Sequence, residues 1–102
     1  MKRNVIRYTT RPEKTAENQA LIEGVFAELK EKAPAGARYL VLKLADGSFI
    51  HFVTVETADG SNPIPQLGAF RAFQAAIRDR VIEPPQTLEA TVVGDYRVLG
   101  SD

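Results

Sequence analysis

Two apolar runs joined by an Asp-Gly pair occupy the middle of the chain, residues 38–55, and constrain the fold more than any other stretch. Both runs are rich in β-branched, aromatic and leucine side chains, and short runs of this kind are typical of strands. Asp46-Gly47 between them predicts a tight turn, because glycine adopts the positive φ values that hairpin turns need. The segment is therefore predicted to be an antiparallel hairpin.

The register of this hairpin has two possible forms. A two-residue turn would place His51 on the same face as the leucines at positions 40, 42 and 44. A three-residue loop, with Gly47 in the left-handed region, would instead place His51 with Tyr39, Val41 and Lys43. A slip of one residue turns every side chain of a strand to the other face, and the sequence alone permits both forms.

A strand pattern lies near each end of the chain. The alternation of residues 4–10 predicts a first strand, and residues 87–99 predict a long last strand with a bulge or bend at Gly94. With one helix on each side of the hairpin, the order becomes β-α-β-β-α-β, the ferredoxin-like split motif. We therefore expect an α+β fold whose antiparallel four-stranded sheet has the order 4-1-3-2 and carries both helices on one face.

The two helices are predicted from apolar residues that recur at helical spacing. The first begins between residues 12 and 16 and runs to residue 32, and the second covers residues 66–81. The expected buried stripes are Ile22, Val25, Phe26, Leu29 and Ala33 in the first helix, and Leu67, Phe70, Phe73 (or Gln74), Ile77 and Val81 in the second. We expect Arg80 to point away from the second stripe.

Composition narrows the possible functions of this chain of 102 residues, which we expect to form one domain over residues 1–102. Its 13 basic and 13 acidic side chains cancel, which argues against nucleic acid or an anionic membrane as a partner. It has no cysteine and a single histidine, so we expect no metal site. No apolar run approaches the ~20 residues that span a bilayer, and no signal peptide is evident. We therefore expect a cytoplasmic protein.

RNA-recognition domains share the same order of strands and helices and therefore need a separate test. Their third strand carries a basic-Gly-aromatic pattern with exposed aromatic rings. Residues 48–53 read SFIHFV and lack that pattern. RNA binding is not expected.

Both faces of the predicted hairpin are apolar, although two helices cover only one face of a sheet. With a two-residue turn, the leucines at 40, 42 and 44 line one face, and Val41, Ile50 and Phe52 line the other. A contiguous exposed apolar face of that size usually marks an interface. A second copy of the chain, related by a two-fold axis, would cover it. We therefore expect a homodimer formed through the open face of the sheet.

The chain resembles a known superfamily in three segments that cover nearly its whole length. These segments are YLVLKLADGSFIHFV, NPIPQLGAFRAFQ and EATVVGDYRVL. In βαββαβ order they are similar to dimeric α/β-barrel proteins, and most of all to small bacterial proteins related to antibiotic biosynthesis monooxygenases. The resemblance implies a two-protomer barrel with a pocket in each subunit, between the sheet and its helices. Some relatives oxygenate polycyclic phenols without a metal or an organic cofactor, and others degrade haem.

Asn4 matches one residue of the haem-degrading relatives, which share an asparagine on the first strand, a tryptophan and a histidine. This chain has no tryptophan, and its histidine lies on the predicted third strand rather than on the second helix. The resemblance therefore argues against haem, and we expect no cofactor.

The candidate catalytic base is His51, because its unperturbed pKa lies near neutrality and its neighbours would supply an apolar pocket. Tyr8 and Tyr39 are candidate catalytic partners whose hydroxyls could orient a phenolic or keto group. The candidate substrate-binding residues are Asn4, Arg7, Phe52, Phe70, Phe73 and Tyr96. Each of these side chains would also suit a purely structural role in the core or at an interface.

These observations lead to one hypothesis and one alternative. The hypothesis is a homodimeric, cofactor-independent monooxygenase-like enzyme that acts on a small aromatic or polyketide-like compound. The alternative is a non-catalytic dimer that binds a small molecule or serves as an accessory protein. The two differ in whether His51 moves a proton or only fills space in the sheet.

Overall fold

One antiparallel sheet and three helices build the computed structural model, which describes residues 2–99. The strands are β1 (Lys2–Thr9), β2 (Ala37–Lys43), β3 (Ser48–Val55) and β4 (Gln86–Glu89), in the sheet order β2-β3-β1-β4. The helices are α1 (Thr15–Lys32), α2 (Gly68–Gln74) and α3 (Ile77–Arg80), and 3-10 turns cover Pro12–Lys14 and Ile64–Gln66. The predicted α+β, ferredoxin-like fold and its strand order are confirmed. None of the helices described here is both long and apolar enough to cross a membrane.

The β2–β3 hairpin has the three-residue loop. Leu44 N donates to Ser48 O at 2.8 Å, and Gly47 N donates back to Leu44 O at 3.1 Å. Gly47 has a φ of 88°, which favours glycine, and the Asp46 carboxylate accepts a hydrogen bond from the Ser48 amide. His51 is consequently opposite Val41, so the two-residue register was wrong and the three-residue register is confirmed.

This register sorts the side chains of the sheet onto two faces. One face packs on the helices and carries buried Tyr8, Phe49, His51, Val53 and Val55. The other face, called the open face below, is uncovered by any element within residues 2–99. Its apolar side chains, placed by strand alternation and register, are Val5, Leu40, Leu42, Ile50, Phe52 and Leu88. The open face is thus more uniformly apolar than the two-residue turn predicted.

Helix α1 supplies the other half of the core. It begins at Thr15, inside the predicted window, and ends where Ala33 takes a φ of 42°. Ile22 and Val25 of the predicted stripe are buried, and Asn18, one turn before Ile22, is fully buried as well. A polar side chain on the buried stripe of a helix needs a partner in the core, and Asn18 has one on each side.

The second predicted helix is broken in two, which corrects the continuous helix expected over residues 66–81. Helix α2 ends at Gln74, Ala76 takes a φ of 58°, and α3 restarts at Ile77. The break leaves main-chain carbonyls at the end of α2, and the Arg80 guanidinium donates to those of Phe73 and Ala75. Arg80 is 2% exposed, so the expectation that it points outward was wrong.

The last strand is much shorter than the predicted strand over residues 87–99. Its pairing with β1 places Glu89 opposite Asn4, and the final main-chain bond joins Ala90 N to Arg3 O at 2.9 Å. Residues 91–99 pair with no strand of the sheet among the described residues. Residues 91–99 have the composition of a strand, but their backbone is not part of the sheet.

Candidate active site

A cavity of about 420 Å³ lies between the helix-facing side of the sheet and the α2–α3 segment. It is lined by Asn4, Ile6, Tyr8, Tyr39, His51, Val53, Asn62, Ile64, Pro65, Phe70, Phe73, Gln74, Ile77, Pro85 and Thr87. The lining is mostly apolar, holds a few convergent polar groups and contains no charged carboxylate, lysine or arginine. A concave apolar site with few polar groups is the usual form of a small-molecule pocket.

His51 is the buried polar centre of this cavity. Its Nε2 atom lies 2.8 Å from the Tyr8 hydroxyl, and its Nδ1 atom lies 2.6 Å from the Tyr39 hydroxyl. The three residues come from three adjacent strands, because β3 is the neighbour of both β1 and β2. Tyr8 is paired with Phe49 and Tyr39 with Val53, so each tyrosine is a diagonal neighbour of His51.

The hydrogen bonds continue from Tyr8 into the core. Asn18 Nδ2 donates to the Tyr8 hydroxyl at 3.0 Å, and Arg80 Nε donates to Asn18 Oδ1 at 2.9 Å. Arg80, Asn18, Tyr8, His51 and Tyr39 therefore form one continuous hydrogen-bonded series, called the polar chain below. Within residues 2–99 every buried polar side-chain atom has a hydrogen-bond partner, so the polar chain leaves no buried polar atom unpaired.

Burial sets the protonation of the site. It lowers the pKa of His51 to about 4, because an apolar environment disfavours the imidazolium. Burial raises the pKa of Tyr8 to about 12, although the Asn18 hydrogen bond and the Arg80 charge partly oppose this change. The pKa of Tyr39 is also raised, by burial first and by its proximity to Tyr8 second. At neutral pH the imidazole is therefore neutral and both tyrosines keep their protons.

Most of the residues predicted for the site come together here, and three do not. His51, Tyr8, Tyr39, Asn4, Phe70 and Phe73 all line the cavity. Arg7 lies on the other side of the sheet and donates to Gln86 Oε1, while Phe52 lies on the open face. Tyr96 follows β4 and is 84% exposed. The structure thus offers no place in this cavity for Arg7, Phe52 or Tyr96.

Two members of the polar chain, Asn18 and Arg80, were not among the predicted site residues. Asn18 stands four residues before Ile22, so helical spacing already places it on the buried stripe. Arg80 stands seven residues after Phe73, which is also a same-face spacing, but its charge suggested a solvent-facing position. In both cases the polar residue has the same helical spacing as the buried apolar residues, and this spacing indicates that it is buried with them.

A larger groove, of about 650 Å³, lies at the other side of the sheet and is lined by Arg7, Ser48, Ile50, Glu83 and neighbouring residues. Apart from Tyr8, which borders both spaces, its lining has no buried titratable group. The smaller cavity is the better candidate, because buried groups with shifted pKa values converge there. Within residues 2–99 no cluster of three or more His, Asp or Glu side chains is placed to hold a metal ion.

Comparison with known proteins gives matches to solved structures. No family model matches the sequence, and no curated protein matches it. A structure from Nitrosomonas europaea, provisionally named an antibiotic biosynthesis monooxygenase, has a TM-score of 0.74 and 14% identity over 92% of this chain and 100% of that one. Rv0793 from Mycobacterium tuberculosis has a TM-score of 0.73 and 14% identity over 92% of this chain and 96% of that one.

A third structure, from Caulobacter crescentus and also provisionally named an antibiotic biosynthesis monooxygenase, has a TM-score of 0.71 and 20% identity, over 91% of this chain and 90% of that one. These matches cover nearly the full length of each partner at low identity, so they establish the architecture. The resemblance seen in the sequence is confirmed at that level: the chain has the fold of antibiotic biosynthesis monooxygenase-like proteins.

Proposed function

We propose that the protein is a cofactor-independent, monooxygenase-like enzyme whose cavity binds a small aromatic or polyketide-like compound. One observation carries the proposal: a buried neutral imidazole, hydrogen-bonded on both nitrogens by tyrosine hydroxyls, lines an otherwise apolar cavity. The size and the aromatic lining of the cavity suit a planar ring system. Proteins of the same fold that are named as monooxygenases support the same chemical class.

Such a reaction needs a substrate that gives electrons to dioxygen directly. A methylene carbon between aromatic rings loses two hydrogens and gains one oxygen atom, while the other oxygen atom leaves as water. The substrate supplies every electron that dioxygen takes up, so no separate reductant is required. The task of the protein is to favour the deprotonated form of the substrate in a site shielded from water.

In this proposal Tyr39 contacts the substrate oxygen. Both nitrogens of His51 already face tyrosine hydroxyls, so the imidazole reaches a ligand only through one of them. Tyr39 lines the cavity and is half-buried, whereas Tyr8 is 5% exposed. In this proposal Phe70 and Phe73 pack on the substrate ring, and His51 acts on the substrate through the Tyr39 hydroxyl.

The proposal includes a homodimer formed through the open face. In the single chain Leu42 and Phe52 remain well exposed there, and Leu88 is 63% exposed. Apolar surface of this extent is stabilised by burial against a partner. A second copy presents the same face and would cover it symmetrically.

A second candidate function is a dimer that binds a small molecule without catalysis. It is favoured by one observation, namely that the hydrogen-bonding capacity of His51 is already used within the chain. The cavity lining also has no carboxylate that could serve as an alternative base. Oxygen uptake in the presence of a bound compound distinguishes the two functions.

Oxygen uptake with polycyclic phenols and anthrone-type ketones, in air-saturated buffer containing a metal chelator, tests the catalytic proposal. We expect turnover by the wild-type protein and a loss of roughly 100-fold in kcat/KM for Tyr39→Phe, because the oxyanion loses a hydrogen-bond donor. Tyr96→Phe is the matched control, since Tyr96 is exposed and is not part of the cavity lining. A compound that binds without any oxygen uptake would establish the binding function instead.

A further inference from the structure

The direction of the hydrogen bonds in the polar chain is set at its buried end. An arginine side chain can only donate hydrogen bonds, so the atom of Asn18 that faces Arg80 Nε must be its carbonyl oxygen. The amide nitrogen of Asn18 then faces Tyr8 and donates to its hydroxyl oxygen at 3.0 Å. The Asn18 amide consequently has one orientation, with its donor toward the cavity.

This orientation decides how Tyr8 and His51 share their protons. Tyr8 accepts from Asn18, so its own hydroxyl proton is directed to His51 Nε2 at 2.8 Å. If Nε2 carried the proton instead, the Tyr8 hydroxyl proton would have no acceptor among residues 2–99, and a buried unpaired donor is costly. His51 therefore carries its proton on Nδ1 and donates it to the Tyr39 hydroxyl oxygen at 2.6 Å.

Tyr39 is the last residue of the polar chain, and its hydroxyl is the group that can donate a hydrogen bond to a molecule in the cavity. Its hydroxyl oxygen accepts from His51, and its own proton has no other partner among residues 2–99. The side chain lines the cavity, so this proton is available to a bound molecule. A series of hydrogen bonds that point the same way polarises each member and strengthens the last donor.

The charge at the buried end acts in the same direction. The Arg80 guanidinium is held by Asn18, by two main-chain carbonyls and by the ring of Phe73. No carboxylate forms an ion pair with it among the described residues. A buried cation without an anionic partner favours an anion nearby, and the lining of the cavity supplies none.

We infer that the polar chain donates in one direction, from Arg80 to Tyr39, and that the cavity is therefore specific for ligands that present an anionic or carbonyl oxygen, such as phenolates and enolates. Tyr39 is the specificity-determining donor, and Asn18 and Arg80 are positioning residues that act through it. This inference deepens the proposed function by naming the form of the ligand, and it relies on that proposal only for where the ligand binds.

The tautomer of His51 tests the direction without any ligand. Because the chain has a single histidine, long-range ¹H–¹⁵N NMR of the imidazole reports on this residue alone. At neutral pH we expect a protonated Nδ1 and an unprotonated Nε2. A proton on Nε2 would overturn the inference, and this measurement needs no variant.

Asn18→Asp reverses the direction with little change of shape. A carboxylate only accepts, so it would take hydrogen bonds from both Arg80 and Tyr8. Tyr8 would then accept from His51, whose proton moves to Nε2, and Tyr39 would donate to Nδ1. Gln19→Glu is the matched control, because it makes the same chemical change at the next position of α1 and should leave the tautomer unaltered. A folded Asn18→Asp protein that retains the Nδ1 proton contradicts the inference.

The ligand specificity is tested with 4-nitrophenol, whose phenol and phenolate forms differ in absorbance. We expect the wild-type cavity to bind the phenolate about tenfold more tightly than the phenol, which lowers the pKa of the bound probe by about one unit. Tyr39→Phe should abolish this preference, and Asn18→Asp should reverse it. Equal affinity for the two forms, or no binding at millimolar probe, would overturn the assigned specificity.

The outcomes separate this inference from the proposed catalysis. If the tautomer and the phenolate preference are as expected but no oxygen is consumed, the oxygenase proposal fails and the anion specificity remains. If oxygen is consumed while His51 carries its proton on Nε2, the catalytic proposal stands and the inferred donating direction of the polar chain is wrong.

Discussion

Burial of His51 makes the stability of the folded chain depend on pH. The imidazole is 3% exposed, and each of its nitrogens faces a tyrosine hydroxyl and no charged group, so burial disfavours its protonated form. Its pKa is about 4 in the folded state, against 6.5 as its ordinary value. Between these two values the unfolded chain binds a proton that the folded chain does not.

The free energy of unfolding should therefore fall as the pH drops from 6.5 toward 4. The slope follows from the excess protons bound by the unfolded state, and the loss by pH 5 is about 2 kcal/mol relative to pH 7. Urea unfolding at both pH values, at one protein concentration, measures it. His51→Gln removes this titration but leaves every carboxylate in place. If wild type and His51→Gln lost the same stability, the assignment to His51 would be wrong.

Two glycines show how differently one residue type acts in two elements. Gly47 has a φ of 88° in the hairpin loop, and a Cβ there would meet nothing closer than 3.8 Å. Gly24 lies within helix α1, and a Cβ there would meet no atom within 4 Å. Neither substitution causes a clash, so each isolates the backbone preference of its element.

Gly47→Ala should destabilise the protein by about 1–2 kcal/mol, because the left-handed region is unfavourable for a residue with a Cβ. Gly24→Ala should stabilise it by about 1 kcal/mol, since alanine is the better helix former. Denaturant unfolding of the two variants beside wild type gives both values. A Gly47→Ala variant as stable as wild type would mean that the loop is free to adopt another register.

The break between α2 and α3 is the element-level feature on which the site depends. Arg80 uses the carbonyls that the break exposes, and so it enters the core rather than the solvent. A continuous helix over residues 66–81 would keep those carbonyls in its own hydrogen bonds. The polar chain therefore starts from an irregularity of the backbone.

The whole molecule has one face that its own helices do not cover. The open face combines the outward side chains of all four strands, including Leu42, Phe52 and Leu88. Helix α1 and the α2–α3 segment occupy the other face, and the α2–α3 segment lines the cavity. The proposed ligand and the proposed second copy would thus use opposite sides of the sheet.

Phe52→Lys should dissociate the proposed homodimer. In a two-fold interface each substitution appears twice, and an unpaired buried ammonium is strongly unfavourable, so we expect Kd to rise about tenfold or more. Sedimentation equilibrium should give twice the 11.2 kDa chain mass for wild type and a mass near one chain for the variant. Ala72→Lys, on the exposed side of α2, is the control and should remain dimeric. A monomeric wild-type protein would refute the dimer.

Local sequence patterns were sufficient to predict the order of the elements, the bounds of α1 and the strand order of the sheet. Alternation and helical spacing depend on residues that are close in sequence, so they can be recognised in a single sequence. The same patterns placed Tyr8, Tyr39 and His51 on three strands and named all three as candidates. They could not show that the three side chains meet, because the hairpin register was open.

Only the tertiary structure decided the register, the break after α2, the length of β4 and the burial of Arg80. Each of these depends on hydrogen bonds or contacts between segments far apart in sequence: Arg80 with Asn18, β4 with β1, and His51 with two other strands. Such contacts outweigh local propensities of a few tenths of a kcal/mol per residue. The elements follow from the sequence read locally, and the candidate site follows from how they pack.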